Sequence, residues 1–138
     1  MPRARAKTRP ATPADAAAFL LKAAEFLRAA QDSFELGNRT AATGNAVHAG
    51  IAASDALAAA LAGLVSQGDH ADAPIHLEAI GGDAKLAARQ LRQLLPLKTQ
   101  AEYDPRPISV SDARRAVNAA ERLVSLAQRV VSIPRSAH

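Results

Sequence analysis

Apolar residues recur at three- and four-residue steps through most of the chain, the spacing of one face of an α-helix. In the first such run Phe19, Leu20, Ala23, Phe26, Leu27, Ala30 and Phe34 share a face that carries all three phenylalanines. Thr12 stands before it as a helix cap, Pro13 occupies the first helical position, and Asp15 complements the dipole in the first turn. Gly37 and Asn38 are its stop signal. A second helix is predicted from about Arg39 or Thr40 to Ser66, closed by Gly68. Val47, Ile51, Leu57, Leu61, Leu64 and Val65 lie on a broad common side of it, while Asn45, His48 and Asp55 fall in a narrow arc opposite. Gly44 and Gly50 weaken it as an isolated helix and suit close packing.

The third helical region is interrupted. It opens at Pro74, breaks at Gly81-Gly82, restarts after Asp83, and is expected to bend or end at Pro96. A charged, proline-punctuated connector, "KTQAEYDPRPIS" from Lys98 to Ser109, then separates it from the last helix. Ser109 or Ser111 caps that helix. Ala113, Ala116, Val117, Ala120, Leu123, Val124, Ala127, Val130 and Val131 form its apolar side. Arg114, Arg115, Asn118, Glu121, Arg122, Ser125 and Arg129 lie opposite, and this is the cleanest amphipathic pattern in the chain. The expected fold is all-α, an up-down four-helix bundle with a kinked or broken third helix. Residues 12–132 make one domain between a disordered basic tail, 1–11, and a frayed end, 133–138.

Composition sharpens this picture. Alanine and leucine dominate the apolar share and aromatics make up only 3% of the 138 residues, which favours close helix contacts. There is no cysteine, so disulfides, thiolate metal sites and cysteine nucleophiles are excluded. The net charge of +4 belongs to the tail: Arg3, Arg5, Lys7 and Arg9 leave 13 of the 17 basic residues to face 13 acidic ones. These four are the candidate nucleic-acid contacts, while the neutral, aromatic-poor body gives RNA binding little support. No apolar run reaches the ~20 residues of a membrane span, and a cytoplasmic protein that does not touch membrane is expected.

Two polar groups invite chemical readings. His48, His70 and His76, with Asp69, Asp72 and Glu78, are potential metal ligands, but no ligand spacing of a known kind joins them, so neither metal nor cofactor is expected. No nucleophile-elbow motif occurs. The small-residue arc of the second helix, with Asn45, Ala49, Ala52 and Asp55, is the candidate interface, because a solvent face ordinarily carries Lys, Glu and Arg.

The segment "LRQLLPLKTQAEYDPRPISVSDARRAVNAAERLVSLA" resembles the ending of HEPN domains, where a leucine-rich helix leads through a basic residue and an A-[DE]-Y element into a Ser-capped helix. "GNAVHAGIAASDALAAALAG" and "GDHADAPIHL" are similar to the family's second helix and its connection into the third. The resemblance spans Phe19 to Val131. It implies a small helical bundle that, in many members, is a metal-independent ribonuclease. Such members carry an arginine and a histidine four to six residues apart near the end of the third helix. Histidine handles the proton of the RNA 2′-hydroxyl, and arginine steadies the phosphate.

Here Lys98 stands where the arginine would be and Tyr103 where the histidine would be. Lysine keeps the charge without the bidentate fork. Tyrosine, with an ordinary pKa of about 10, is a poor proton acceptor near neutrality. Arg92 has no histidine at the required distance. The resemblance with these departures implies a non-catalytic bundle that works by association, as a homodimer or with a protein partner, in a toxin–antitoxin or defence setting. The alternative is a ribonuclease using an altered set drawn from Lys98, Tyr103, Asp55 and His48. The packing role open to Tyr103 is that of a residue anchoring the connector.

Overall fold

The computed structural model describes residues 7–68 and 70–131. Among them the chain is all-α, with five helices and one two-stranded ladder: β1 Thr8–Pro10, α1 Pro13–Glu35, α2 Arg39–Ala62, β2 Leu64–Ser66, α3 Ala73–Ile80, α4 Asp83–Tyr103 and α5 Val110–Val130. A 3₁₀ turn, His70–Asp72, leads into α3.

The caps behave as the sequence requires. Thr12 Oγ1 accepts from the Asp15 N–H at 3.0 Å, and Asp15 Oδ2 accepts from the Thr12 N–H at 2.9 Å, a reciprocal capping box. Those bonds hold the Asp15 carboxyl below its ordinary range. Ser109 Oγ accepts from the Asp112 N–H at 3.0 Å and starts α5. The buried side of α5 is the expected one, with Ala113, Ala116, Val117, Ala120, Leu123, Val124 and Ala127 all enclosed.

Three boundaries differ from expectation. α2 stops at Ala62, because Gly63 adopts the left-handed conformation at φ 66° and turns the chain out of the helix. Leu64–Ser66 is then extended, not helical, and pairs antiparallel with Thr8–Pro10, with Arg9 opposite Val65. Two flanking bonds lengthen the ladder, Ala11 N–H to Gly63 O at 2.9 Å and Gln67 N–H to Lys7 O at 2.7 Å. The segment 7–11 is therefore not a disordered tail: its backbone is paired, and Ala11 and Val65 are buried. A two-stranded ladder is marginal alone; here it rests on the helical core through those two side chains. Arg3 and Arg5 lie outside the described residues, as does the C-terminal end from 132.

The third difference is at Pro96. The chain breaks at Gly81-Gly82, both at positive φ, as read from the sequence. α4 then continues through Pro96 to Tyr103. Pro96 is exposed, so its ring meets no neighbouring helix, and the missing N–H costs one bond on an outer turn. The connector shrinks to the residues between Tyr103 and α5, where Pro105 and Pro107 forbid helix.

α2 is the central element, packed on α1, α5 and α4. Between Ala42 and Ala59 only Gly44, Asn45, His48 and Asp55 escape burial. Small side chains permit this crowding. At Gly50 an added Cβ would lie 2.3 Å from Leu94 Cδ1 and 3.1 Å from Leu123 Cδ1, so hydrogen alone fits where α4 and α5 meet α2. Ser54 donates to Gly50 O at 2.8 Å within this enclosed stretch, which satisfies its hydroxyl.

Candidate functional site

A cavity of about 630 Å³ lies at the end of α4 and is lined by Pro96, Thr99, Gln100, Tyr103, Asp104, Arg106 and Pro107. The continued helix builds one wall and the two-proline connector the other. Asp104 leaves the helix in extended conformation. Arg106 folds back onto it, donating from its backbone N–H at 2.9 Å, from Nε at 3.1 Å and from Nη2 at 2.7 Å. These bonds hold the Asp104 carboxyl down to about 2, so it stays ionised and offers no proton near neutrality. The guanidinium fork is spent on the same residue, although the outer part of Arg106 is exposed.

Lys98 and Tyr103 both fall on this last stretch of helix, not in a loop. Lys98 Nζ pairs with Glu102 Oε2 at 3.3 Å, one turn along. Tyr103 is 75% exposed, which removes the anchoring role: its ring is not tucked under the connector.

The second group of candidates runs along α2. Asn45 Nδ2 donates to Ala41 O of its own helix at 3.0 Å. The exposed His48 ring sits 5.2 Å from the Phe26 ring of α1, tilted by 32°. Asp55, two turns on, is half-buried, and burial pushes its carboxyl up to about 6 against the opposing pull of Arg9 on β1 and Lys22 on α1. A half-buried carboxylate with no hydrogen-bonded partner among the described residues prefers its neutral form.

These two groups do not meet. Gly50 points at Leu94 of α4 and Leu123 of α5. At about 100° per residue, His48 and Asp55 lie about 160° and 140° around α2 from Gly50, on the side of α1. A shared cleft of Lys98, Tyr103, His48 and Asp55 is thus not formed. Ala49 and Ala52 are 0% and 5% exposed, covered by the chain's own helices, so the interface expected from Asn45, Ala49, Ala52 and Asp55 has no continuous outward surface. The reason is the one that makes α2 central: alanine in a polar-edged arc was packing material, not a contact patch.

No protein-family model matches the chain, and no curated protein does. The arrangement of residues must therefore carry the functional reading.

Among the described residues no three of His, Cys, Asp and Glu converge. His76 Nε2 lies 3.1 Å from Leu64 O, and Glu78 accepts from Arg92 Nη1 at 2.5 Å. Of the basic tail, Lys7 and Arg9 are described; Lys7 lends its carbonyl to the ladder, and Arg9 lies close enough to Asp55 to draw its pKa down.

Sequence reasoning missed three features. The Asp104–Arg106 lock had a local signal, an acid two residues before an arginine across a proline. The charge cluster Arg9–Lys22–Asp55 had none, because it depends on β1 folding back over the junction of α1 and α2. Between α1 and α5, Gln31 Nε2 donates to Glu121 Oε2 at 2.9 Å, and the Arg114 guanidinium sits 5.4 Å from the Phe34 ring centroid. These enclose a second cavity of about 370 Å³ and join the two helices by polar contacts.

Proposed function

We propose that this chain is a non-catalytic helical bundle of HEPN type that acts through association, as a homodimer or with a protein partner, in the cytoplasm and in a toxin–antitoxin or defence setting. This reading takes α3 and α4 as one interrupted element of an up-down four-helix bundle. The observation that carries the reading is that Gly50 faces Leu94 of α4 and Leu123 of α5, while His48 lies about 160° around α2 from it. The cavity beside Tyr103 also has its acid and its arginine locked to each other. A ribonuclease needs a proton-transferring group within hydrogen-bond reach of the hydroxyl and a cation free for the phosphate, and that cavity supplies neither.

The alternative, a ribonuclease of altered set, draws on one observation: a carboxyl held at about 6 at Asp55 can exchange protons near neutrality. The two readings separate on purified protein incubated with mixed RNA, with and without chelator. The associating bundle leaves the RNA intact. Cleavage that survives chelator and is lost on Lys98→Ala, Tyr103→Phe or Asp55→Asn replaces this reading with the enzymatic one.

A further inference from the structure

Away from both candidate sites, α4 and α5 enclose a groove of about 190 Å³ lined by Leu86, Arg89, Gln90, Arg122, Leu126 and Arg129. Leu86 is 49% exposed at its edge and Leu126 closes its floor. Three guanidiniums border an apolar strip, and no carboxylate lines it. Among the described residues the ion-paired basic side chains are Arg92, Lys98, Arg106 and Arg115, so none of the groove's three arginines has an acidic partner. Arginine forks beside an apolar floor fit a carboxylate-bearing surface with an aliphatic anchor. The groove lacks the aromatic faces on which nucleic-acid bases stack.

The chain carries such a surface itself. On the outer side of α1, Leu21, Glu25, Asp32 and Leu36 fall within an arc of about 60° at 100° per residue. Leu36 is 76% exposed, the most open of the large hydrophobic side chains among the described residues, and Leu21 is 59% exposed. Glu25 and Asp32 are exposed and engage in no ion pair among those residues. Lys22 and Arg28 border this face on its two sides; Lys22 lies near Asp55. Charge and anchor thus match the groove: two acids and two leucines on one side, three arginines and Leu86 over Leu126 on the other.

We infer that the α4–α5 groove receives the outer face of α1 from a second copy of this chain, with Leu36 seated beside Leu86 and Asp32 and Glu25 held by Arg89, Arg122 and Arg129. A groove-to-face contact joins two different patches, so it closes as a dimer where both copies make it about one two-fold axis and otherwise extends head to tail. The inference rests on the associating reading above and names its surface. It relocates that surface away from the α2 arc, whose alanines are enclosed.

The test uses charge reversal with rescue. One full-length variant carries Arg89→Glu, Arg122→Glu and Arg129→Glu; another carries Glu25→Lys and Asp32→Lys. Mass is followed by light scattering across a concentration series, with circular dichroism to check the helices. The wild type is expected as a dimer and each variant alone as a monomer. An equimolar mixture is expected to regain dimer mass, because each reversed groove then meets a reversed face. Leu36→Ser weakens the dimer by on the order of tenfold or more. Variants that dimerise like the wild type, or a mixture that stays monomeric, overturn the groove assignment while leaving association intact. A wild type that is monomeric throughout removes the associating homodimer and the groove assignment together. A monomeric wild type that binds single-stranded RNA through Arg89 and Arg122 makes the groove a nucleic-acid surface instead, which also overturns the inference.

Discussion

Replacing Asp55 with asparagine isolates the one strongly displaced carboxyl inside the helical body. Burial lifts its pKa from 3.8 to about 6, opposed by Arg9 and Lys22. The folded protein then binds this proton more tightly than the unfolded chain. Stability from Asp55 is fully present below about pH 4, where both states are protonated. It is lost as the pH rises through about 6. The interval between 3.8 and about 6, at ~1.36 kcal/mol per pH unit, sets an upper limit of about 3 kcal/mol. Asparagine has the same shape and never ionises, and no hydrogen bond to Asp55 from the described residues is forfeited. The stability difference between Asp55→Asn and wild type should therefore be small at pH 4 and grow in the variant's favour, by up to about 3 kcal/mol, by pH 7. Asp15, Glu78 and Asp104 are shifted the opposite way and lose stability as pH falls, but they are common to both proteins and cancel. Urea unfolding at half-unit steps from pH 4 to 7.5 measures the difference. A flat difference, or a variant less stable than wild type at pH 7, refutes the reasoning. Arg9→Ala gives an internal check: with that pull removed, the loss of stability extends to higher pH than in wild type.

Gly50→Ala and Gly44→Ala should move in opposite directions. Nothing lies within 4 Å of a Cβ at Gly44, so alanine gains up to about 1 kcal/mol of helix propensity. At Gly50 the same gain is outweighed by a clash with the enclosed Leu94 and Leu123, a net loss of about 1–2 kcal/mol by thermal or urea unfolding. Thr12→Ala and Ser109→Ala each remove a cap bond and should cost about 1 kcal/mol, with the Thr12 loss confined by hydrogen exchange to the first turn of α1. Pro96→Ala restores a helical N–H on an exposed turn and should raise the melting temperature while leaving helix content within error; a fall in stability would mean that Pro96 packs against something.

Local chemistry was legible wherever one or two residues decide the outcome. Thr12 and Ser109 start helices, Gly81-Gly82 ends one, and α5 has a single apolar side because arginines occupy the other. The errors all involve what lies across space. Leu64 and Val65 continue an apolar pattern, so they read as helix until the pairing of Val65 with Arg9 is seen. Ala49 and Ala52 read as a contact patch because alanine is equally at home outside and inside; only the crowding of three helices on α2 decides it. Pro96 reads as a bend or an end because its ring ordinarily clashes; α4 does not end there and carries it on an exposed side. For the site, the substitutions at Lys98 and Tyr103 were visible in the sequence, whereas their separation from His48 follows from which side of α2 Gly50 faces, and periodicity alone does not fix that.

The central claim is that this molecule binds a partner and leaves substrates uncut, with a second copy of itself as the first partner to look for. Sedimentation equilibrium of the untagged wild-type chain over a wide concentration range measures that most directly. The account predicts a species of twice the 14.3 kDa chain mass that dissociates on dilution. A mass of 14.3 kDa at every concentration would contradict it.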